Sequence, residues 1–221
     1  MKRSKVSPNV IRRMPRYLRY LDELHSRGVE RISSRELSSQ MKLTPSQIRQ
    51  DFSCFGGFGQ QGYGYNIAHL RDAISNILGM NRQYSVVLVG VGNLGHAIVG
   101  NFNFAKRGFR LLGAFDVSPA LVGTSIADTE IFHADTLPAF LAEHTVDIVV
   151  LTVPKRIAND IATMVAEQGV KAIWNFTDAE LDVKHSDTVL VEDIHFSDSL
   201  LSLSYYLTES AETAETEKAS L

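Results

Sequence analysis

Apolar residues near the start of the chain recur at spacings of three and four: Ile11, Met14, Leu18, Leu21 and Leu24. That period predicts an amphipathic helix over Val10–Leu24. Ser7-Pro8 opens it and Gly28 ends it, while Pro15 either kinks it or marks its true start. Two short helices follow, each behind a capping-box pattern: Ser33 with Glu36, then Thr44 with Gln47. The first spans about Ser34–Met41 and the second about Pro45–Phe52. The short link Lys42-Leu43-Thr44 forces a sharp turn between them, which is a helix-turn-helix pattern. Glycines then interleave with aromatics from Phe55 to Tyr65, as in a tight hairpin beside such a helix pair, a wing. Asn66 caps a further helix, Ile67–Leu78, closed by Gly79.

From Tyr84 the texture changes. Ser85–Val89 is an unbroken apolar run, as in a parallel strand buried on both faces. Similar runs lie at Leu111–Phe115, Val146–Leu151, Ala172–Trp174 and Val189–Val191, with helical patterns between them such as Ile157–Glu167. Alternating strands and helices predict a doubly wound α/β domain. Ser199–Leu207 reads as one apolar helix, a candidate dimer element or an ordinary packing helix. Glu209–Leu221 is small, polar and acidic, and is expected to be disordered.

Composition adds an asymmetry. The 221 residues carry a formal net charge of −3. Residues 1–82 hold 14 Lys and Arg against 6 Asp and Glu, whereas residues 83–221 hold 8 against 19. A basic first part beside an acidic second part predicts two domains with different partners, the first suited to nucleic acid. The single cysteine, Cys54, excludes a disulfide framework and a cysteine-built zinc site, and no metal is expected. No apolar run is long enough for a membrane span, and the basic N-terminus lacks the core of a secretory signal, so a cytoplasmic address is expected.

The run Ser85–Val89 leads directly into Gly90-Val91-Gly92-Asn93-Leu94-Gly95, followed by His96 at the start of a helix. In such a G-x-G-x-x-G, the first glycine makes the turn and the second admits a pyrophosphate. The third lets helix and sheet close up, and the helix N-terminus faces the phosphates. Asp116 ends the next strand, 21 residues after Gly95, where a carboxylate binds both ribose hydroxyls. Val117-Ser118-Pro119 follow without an arginine, so NADH/NAD+ is favoured over the phosphorylated cofactor. Thr152-Val153-Pro154 and Asn175-Phe176 end later strands and are expected to line the same crevice, or to be simple loop chemistry.

In the second helix of the turn, Ser46, Gln47, Arg49 and Gln50 are candidates for base contact, since Arg suits guanine and Gln suits adenine. Arg12, Arg13, Arg16, Lys2, Arg3 and Lys5 are candidates for phosphates, and Phe58 and Gly59 for the wing. Steeply salt-dependent binding is expected.

With these motifs in hand, the chain resembles the Rex family of redox-sensing bacterial transcriptional repressors over about residues 7–207. The resemblance rests on Tyr17–Leu21, Gln47–Asp51, Phe55–Gly59 with Gly62–Tyr65, Gly90–Gly95, Ala114–Asp116, Leu151–Pro154 and Asn175-Phe176. It implies an N-terminal winged helix-turn-helix domain with linker helix (1–79), a Rossmann-like NAD(H)-binding domain (80–196), and a dimerisation helix (197–208) swapped onto a partner. Residues 209–221 form the acidic tail. It also implies a homodimer on a palindromic operator, released by NADH with NAD+ competing, which represses genes of respiration and fermentation.

The resemblance further implies a switch in which an Asp before the last helix moves between a Tyr and an Arg. Arg19 matches that Arg. His195 stands at the Asp position and Asn101, with Phe102 beside it, at the Tyr position; Asp193 and Asp198 are close alternatives. His195 then either takes a modified, pH-sensitive role or packs at a helix start. Gln50 replaces a usual Lys, and Gln60-Gln61 a usual basic pair. Cys54 stands at a usually aromatic position, either as a small buried hydrophobe or as a thiol open to oxidants. Two alternatives remain: an NAD-dependent dehydrogenase, for which little chain is left to form a substrate domain, and a regulator of a CoA-type nucleotide. Asp116 argues for a ribose diol against a ribose phosphate. No catalytic residue is assigned.

Overall fold

The structure is a computed structural model that describes residues 6–60, 63–185 and 188–219. The chain divides between Arg82 and Gln83 into two compact units.

The first unit comprises α1 (Pro8–Ser26), β1 (Arg31–Ile32), α2 (Ser34–Met41), α3 (Pro45–Ser53), β2 (Gly59–Gln60), β3 (Gly64–Asn66) and α4 (Ile67–Ile77). Helix α1 continues unbroken past Pro15, which is therefore not its start. An interior proline forfeits one backbone hydrogen bond, and a buried stripe of Val10, Met14, Tyr17, Leu18 and Leu21 compensates for it. Ile11, expected in that stripe, is exposed; Val10 and Tyr17 complete it instead. Tyr17, Phe52, Tyr65 and Phe58 meet edge to face with Phe52 at the centre, at 4.9, 5.1 and 6.2 Å.

Ser33 and Glu36 form a reciprocal capping box on α2. On α3 only half a box forms: Thr44 accepts from the Gln47 N–H, but the Gln47 side chain goes elsewhere. Strands β1, β3 and β2 make a small antiparallel sheet in that order. A side chain at Gly64, with φ +68°, would lie 2.6 Å from the Ile32 carbonyl oxygen, so glycine is needed there. The Asn66 side chain caps α4 through the His69 N–H.

The second unit comprises β4 (Tyr84–Val89), α5 (Asn93–Asn101), β5 (Phe109–Asp116), β6 (Ser125–Ile126), β7 (Thr129–His133) and α6 (Leu137–Glu143). It continues with β8 (Ile148–Leu151), α7 (Lys155–Glu167), β9 (Ala172–Asn175), β10 (Leu190–Asp193) and α8 (Phe196–Ala219). The sheet order is β10-β9-β8-β4-β5-β7-β6, parallel except for the edge pair β6–β7. This is the strand order of a Rossmann sheet. Residues of β4 alternate between two cores: Val87 and Val89 pack with α6 and α7, and Val86 and Leu88 with α5. Burial on both faces is why the strand reads as a continuous apolar run.

Helix α8 is longer than expected. It continues through the stretch expected to be disordered, as far as Ala219, without an internal glycine or proline to stop it. Phe196, Leu200, Leu201, Leu203, Tyr205, Tyr206 and Leu207 on it are all more than half exposed.

Candidate nucleotide site and DNA interface

The candidate nucleotide site lies at the carboxyl ends of β4 and β8, where the connections run to opposite faces of the sheet. Gly90 has φ +97°, and a side chain there would lie 2.7 Å from the Thr152 carbonyl oxygen. A side chain at Gly95 would run into the Gly90 carbonyl oxygen and lie 2.9 Å from Thr152 Oγ1. Thr152 Oγ1 donates to the Gly90 carbonyl at 2.6 Å, tying the two loops together. A side chain at Gly92 would meet open space, so the approach to the N-terminus of α5 is clear. Gly92 is the N-cap and contributes no side-chain cap, leaving first-turn N–H groups for an anion. Val91 is buried, Leu94 half-buried, and Asn93 and His96 exposed.

Asp116 is half-buried at the end of β5. Its Oδ2 accepts from the Val91 N–H at 2.6 Å and its Oδ1 from the Ser118 N–H at 2.8 Å. The carboxylate therefore holds the glycine loop in shape, a role that spacing alone does not reveal. Val117 is exposed beside it, and Val153 and Pro154 follow β8 on the crevice side.

Asn175 follows the second of its two readings, loop chemistry. It is fully buried, and its side chain donates to the Ala179 carbonyl and to Asp193 Oδ1 while accepting from Thr177. It shapes the strand end and presents no free amide to a ligand. Asp193 is also bound by Lys184 at 2.6 Å. Burial works to raise the Asp193 carboxyl, but the Lys184 and Asn175 bonds outweigh it and hold it below the usual range. His195 lies between Asp193 and Asp178, with Nδ1 4.0 Å from Asp178 Oδ1. Asn101 turns its side chain back to the Ala97 carbonyl. Phe102 joins a line of rings: it lies 5.3 Å from Trp174, which lies 4.6 Å from Phe176, which lies 6.2 Å from Phe196 at the start of α8.

In the first unit, Ser46, Arg49 and Gln50 are exposed on α3, with Arg49 donating to Ser34 Oγ. Arg12, Arg16 and Arg19 are exposed on α1. Arg13 is not free for phosphate: its guanidinium grips Asp51 through two bonds of 2.6 and 2.7 Å. Asp51 is fully buried and also accepts from Tyr17 and Gln47. Burial alone would raise this carboxyl, but the bonds from Arg13, Gln47 and Tyr17 hold it below the usual carboxylate range. Desolvation and the same carboxylate push the Tyr17 hydroxyl well upward. Phe58, expected on the wing surface, packs partly into the core. Cys54 is exposed, which removes the buried-hydrophobe reading. Lys2, Arg3, Lys5 and Gln61 lie outside the described residues, as does the Gln60 side chain.

Among the described residues, no cluster of three or more His, Cys, Asp or Glu could hold a metal, and no helix is long and apolar enough to cross a membrane.

Two family models match the two units: a DNA-binding protein N-terminus over residues 5–53 and a CoA binding domain over residues 81–179. The redox-sensing transcriptional repressor Rex of Caldicellulosiruptor saccharolyticus is 50% identical over 208 residues, 94% of each chain. That of Clostridium tetani is 48% identical over 211 residues, 96% of this chain and 99% of the relative. The chain belongs to the Rex family of redox-sensing transcriptional repressors. Both relatives are named as transcriptional repressors. A solved Rex-type repressor, RSP in complex with beta-NAD+ and operator DNA, matches with a TM-score of 0.87 and 47% identity, covering 97% of this chain and 98% of that one. RSP in complex with beta-NADH matches with a TM-score of 0.88 and 44% identity, covering 96% and 99%.

Proposed function

We propose that this chain is a cytoplasmic homodimer that occupies a palindromic operator and leaves it when NADH binds, with NAD+ competing for the same crevice. The observation that carries the reading is the pairing, in one chain, of an exposed helix-turn-helix face with a glycine-loop crevice closed by Asp116, at close similarity to a repressor solved with both ligands. Gly90, Gly92 and the N-terminus of α5 receive the pyrophosphate, and Asp116 receives the adenosine ribose. The absence of a cation after Asp116 disfavours a ribose phosphate, and with it a CoA-type ligand. Arg12, Arg16 and the start of α3 hold phosphates, while exposed residues of α3 meet bases.

Release follows from linkage. NADH must bind the non-operator conformation more tightly than the operator-bound one, and it can shift the equilibrium only by that ratio. The reduced nicotinamide is neutral and the oxidised ring cationic. The carboxylates of Asp178 and Asp193, with His195 beside them at the ends of β9 and β10, interact differently with the two. The exposed apolar residues of α8 find cover on a second copy, with the helix exchanged between protomers.

A mobility-shift titration on the protein's own promoter region with NADH, NAD+ and NADPH tests the proposal. Release by NADH alone, and binding that weakens steeply with salt, are expected. No operator binding, or equal release by NADPH, overturns it.

A further inference from the structure

Helix α3 presents two faces. Ser46, Arg49, Gln50 and Ser53 are exposed, and Ile48, Asp51 and Phe52 are buried. At 3.6 residues per turn the exposed set centres on one stripe, and Gln47 stands about 110° away from it. Gln47 is half-buried, and its amide Nε2 donates to Asp51 Oδ1 at 2.9 Å, one turn further along.

Asp51 is saturated. Oδ2 accepts from Arg13 Nε at 2.6 Å and Tyr17 OH at 2.8 Å, and Oδ1 accepts from Arg13 Nη2 at 2.7 Å and Gln47. Two carboxylate oxygens offer about four acceptor sites, and all are taken. Arg13 and Tyr17 belong to α1, so this carboxylate bolts the last turn of α3 to α1, and the Gln47 amide extends the bolt toward the first turn of α3. Turning Gln47 out to a base would leave a buried carboxylate short of a donor.

We propose that Gln47 is a positioning residue: Asp51 keeps its amide against the α1 side, and base selection falls to Ser46, Arg49 and Gln50. This rests on the reading above that α3 faces the operator. A glutamine read from sequence as an adenine contact thus acts one step back from the bases, setting the pitch at which Arg49 and Gln50 enter the groove.

The test uses the full chain and a set of operators, each with one base pair changed, with affinities read by fluorescence anisotropy. Gln47→Ala should weaken binding to every operator by a common factor, leaving the ratios between operators within about twofold of wild type. Arg49→Ala and Gln50→Ala should each lose most of the discrimination at one base pair, which for a good two-bond contact is about fivefold or more. Gln47→Met, which keeps the length and helix preference, repeats the measurement if the alanine variant does not fold. Loss of discrimination at one base pair in a Gln47 variant overturns the positioning role alone. Unchanged ratios in both Arg49→Ala and Gln50→Ala overturn the underlying reading that α3 selects bases.

Discussion

Replacing Arg13 by alanine removes two short bonds and the countercharge from a carboxylate that is fully buried. Asp51 keeps only Tyr17 and Gln47 as donors. Stripping one partner from a buried ion pair destabilises by about 3–5 kcal/mol, against about 0–1 kcal/mol for an exposed pair. Arg13 is itself 22% exposed on its side chain, so some water reaches the pair and the lower end, about 3 kcal/mol, is expected. The loss should be confined to the first unit. Hydrogen exchange followed by mass spectrometry on the full chain reads it locally: peptides of α1 and α3 should lose about 150-fold of protection, and those of β4 and β8 none.

The pH dependence has a definite sign. In the native chain the Asp51 carboxyl is held below its usual range, so its contribution is present above the ordinary carboxylate value and fades as pH falls through the lowered one. In the variant, burial is no longer outweighed and the group rises, so the variant gains relative stability as pH falls. The gap between the two proteins should narrow on acidification. A loss below about 1 kcal/mol that does not change with pH would show the pair behaving as a surface pair, and the argument from burial would fail.

Three further outcomes are expected. Gly95→Ala puts a methyl group into the Gly90 carbonyl and against Thr152, so NADH affinity measured by fluorescence should drop at least about tenfold. Asp116→Ala removes both the ribose partner and the acceptor for the Val91 and Ser118 N–H groups; unchanged NADH affinity in calorimetry would refute its role. Leu203→Glu on α8 places a charge among exposed apolar residues expected to be covered by a second copy. Sedimentation should shift toward monomer, and an unchanged mass would show that this face is not the contact.

Much of the fold was legible because its signals are local. The glycine spacing after an apolar run marked the turn from β4 into α5, and Ser33, Thr44 and Asn66 marked three helix starts. The strand pair β6–β7 was not, because Ser125–His133 is short, partly polar and packs at a sheet edge. The site was less legible than the fold. Arg13 and Arg12 look alike in sequence, yet one is locked inside and the other is exposed, and only the partner Asp51, 38 residues away, distinguishes them. An aspartate in the last turn of a helix, one turn after a glutamine, was the available hint. Asn175 was open between two readings for the same reason: its position at a strand end allowed a ligand contact or loop chemistry, and its bonds to Ala179, Thr177 and Asp193 are loop chemistry.

The line of rings from Phe102 to Phe196 has an optical consequence. Trp174, the single tryptophan, is the second ring of that line and immediately precedes the buried end of β9. Indole emission overlaps the absorption of a reduced nicotinamide and not that of an oxidised one. Trp174 is the single indole and is held in β9, so its emission, excited selectively, is expected to be quenched by bound NADH and not by NAD+.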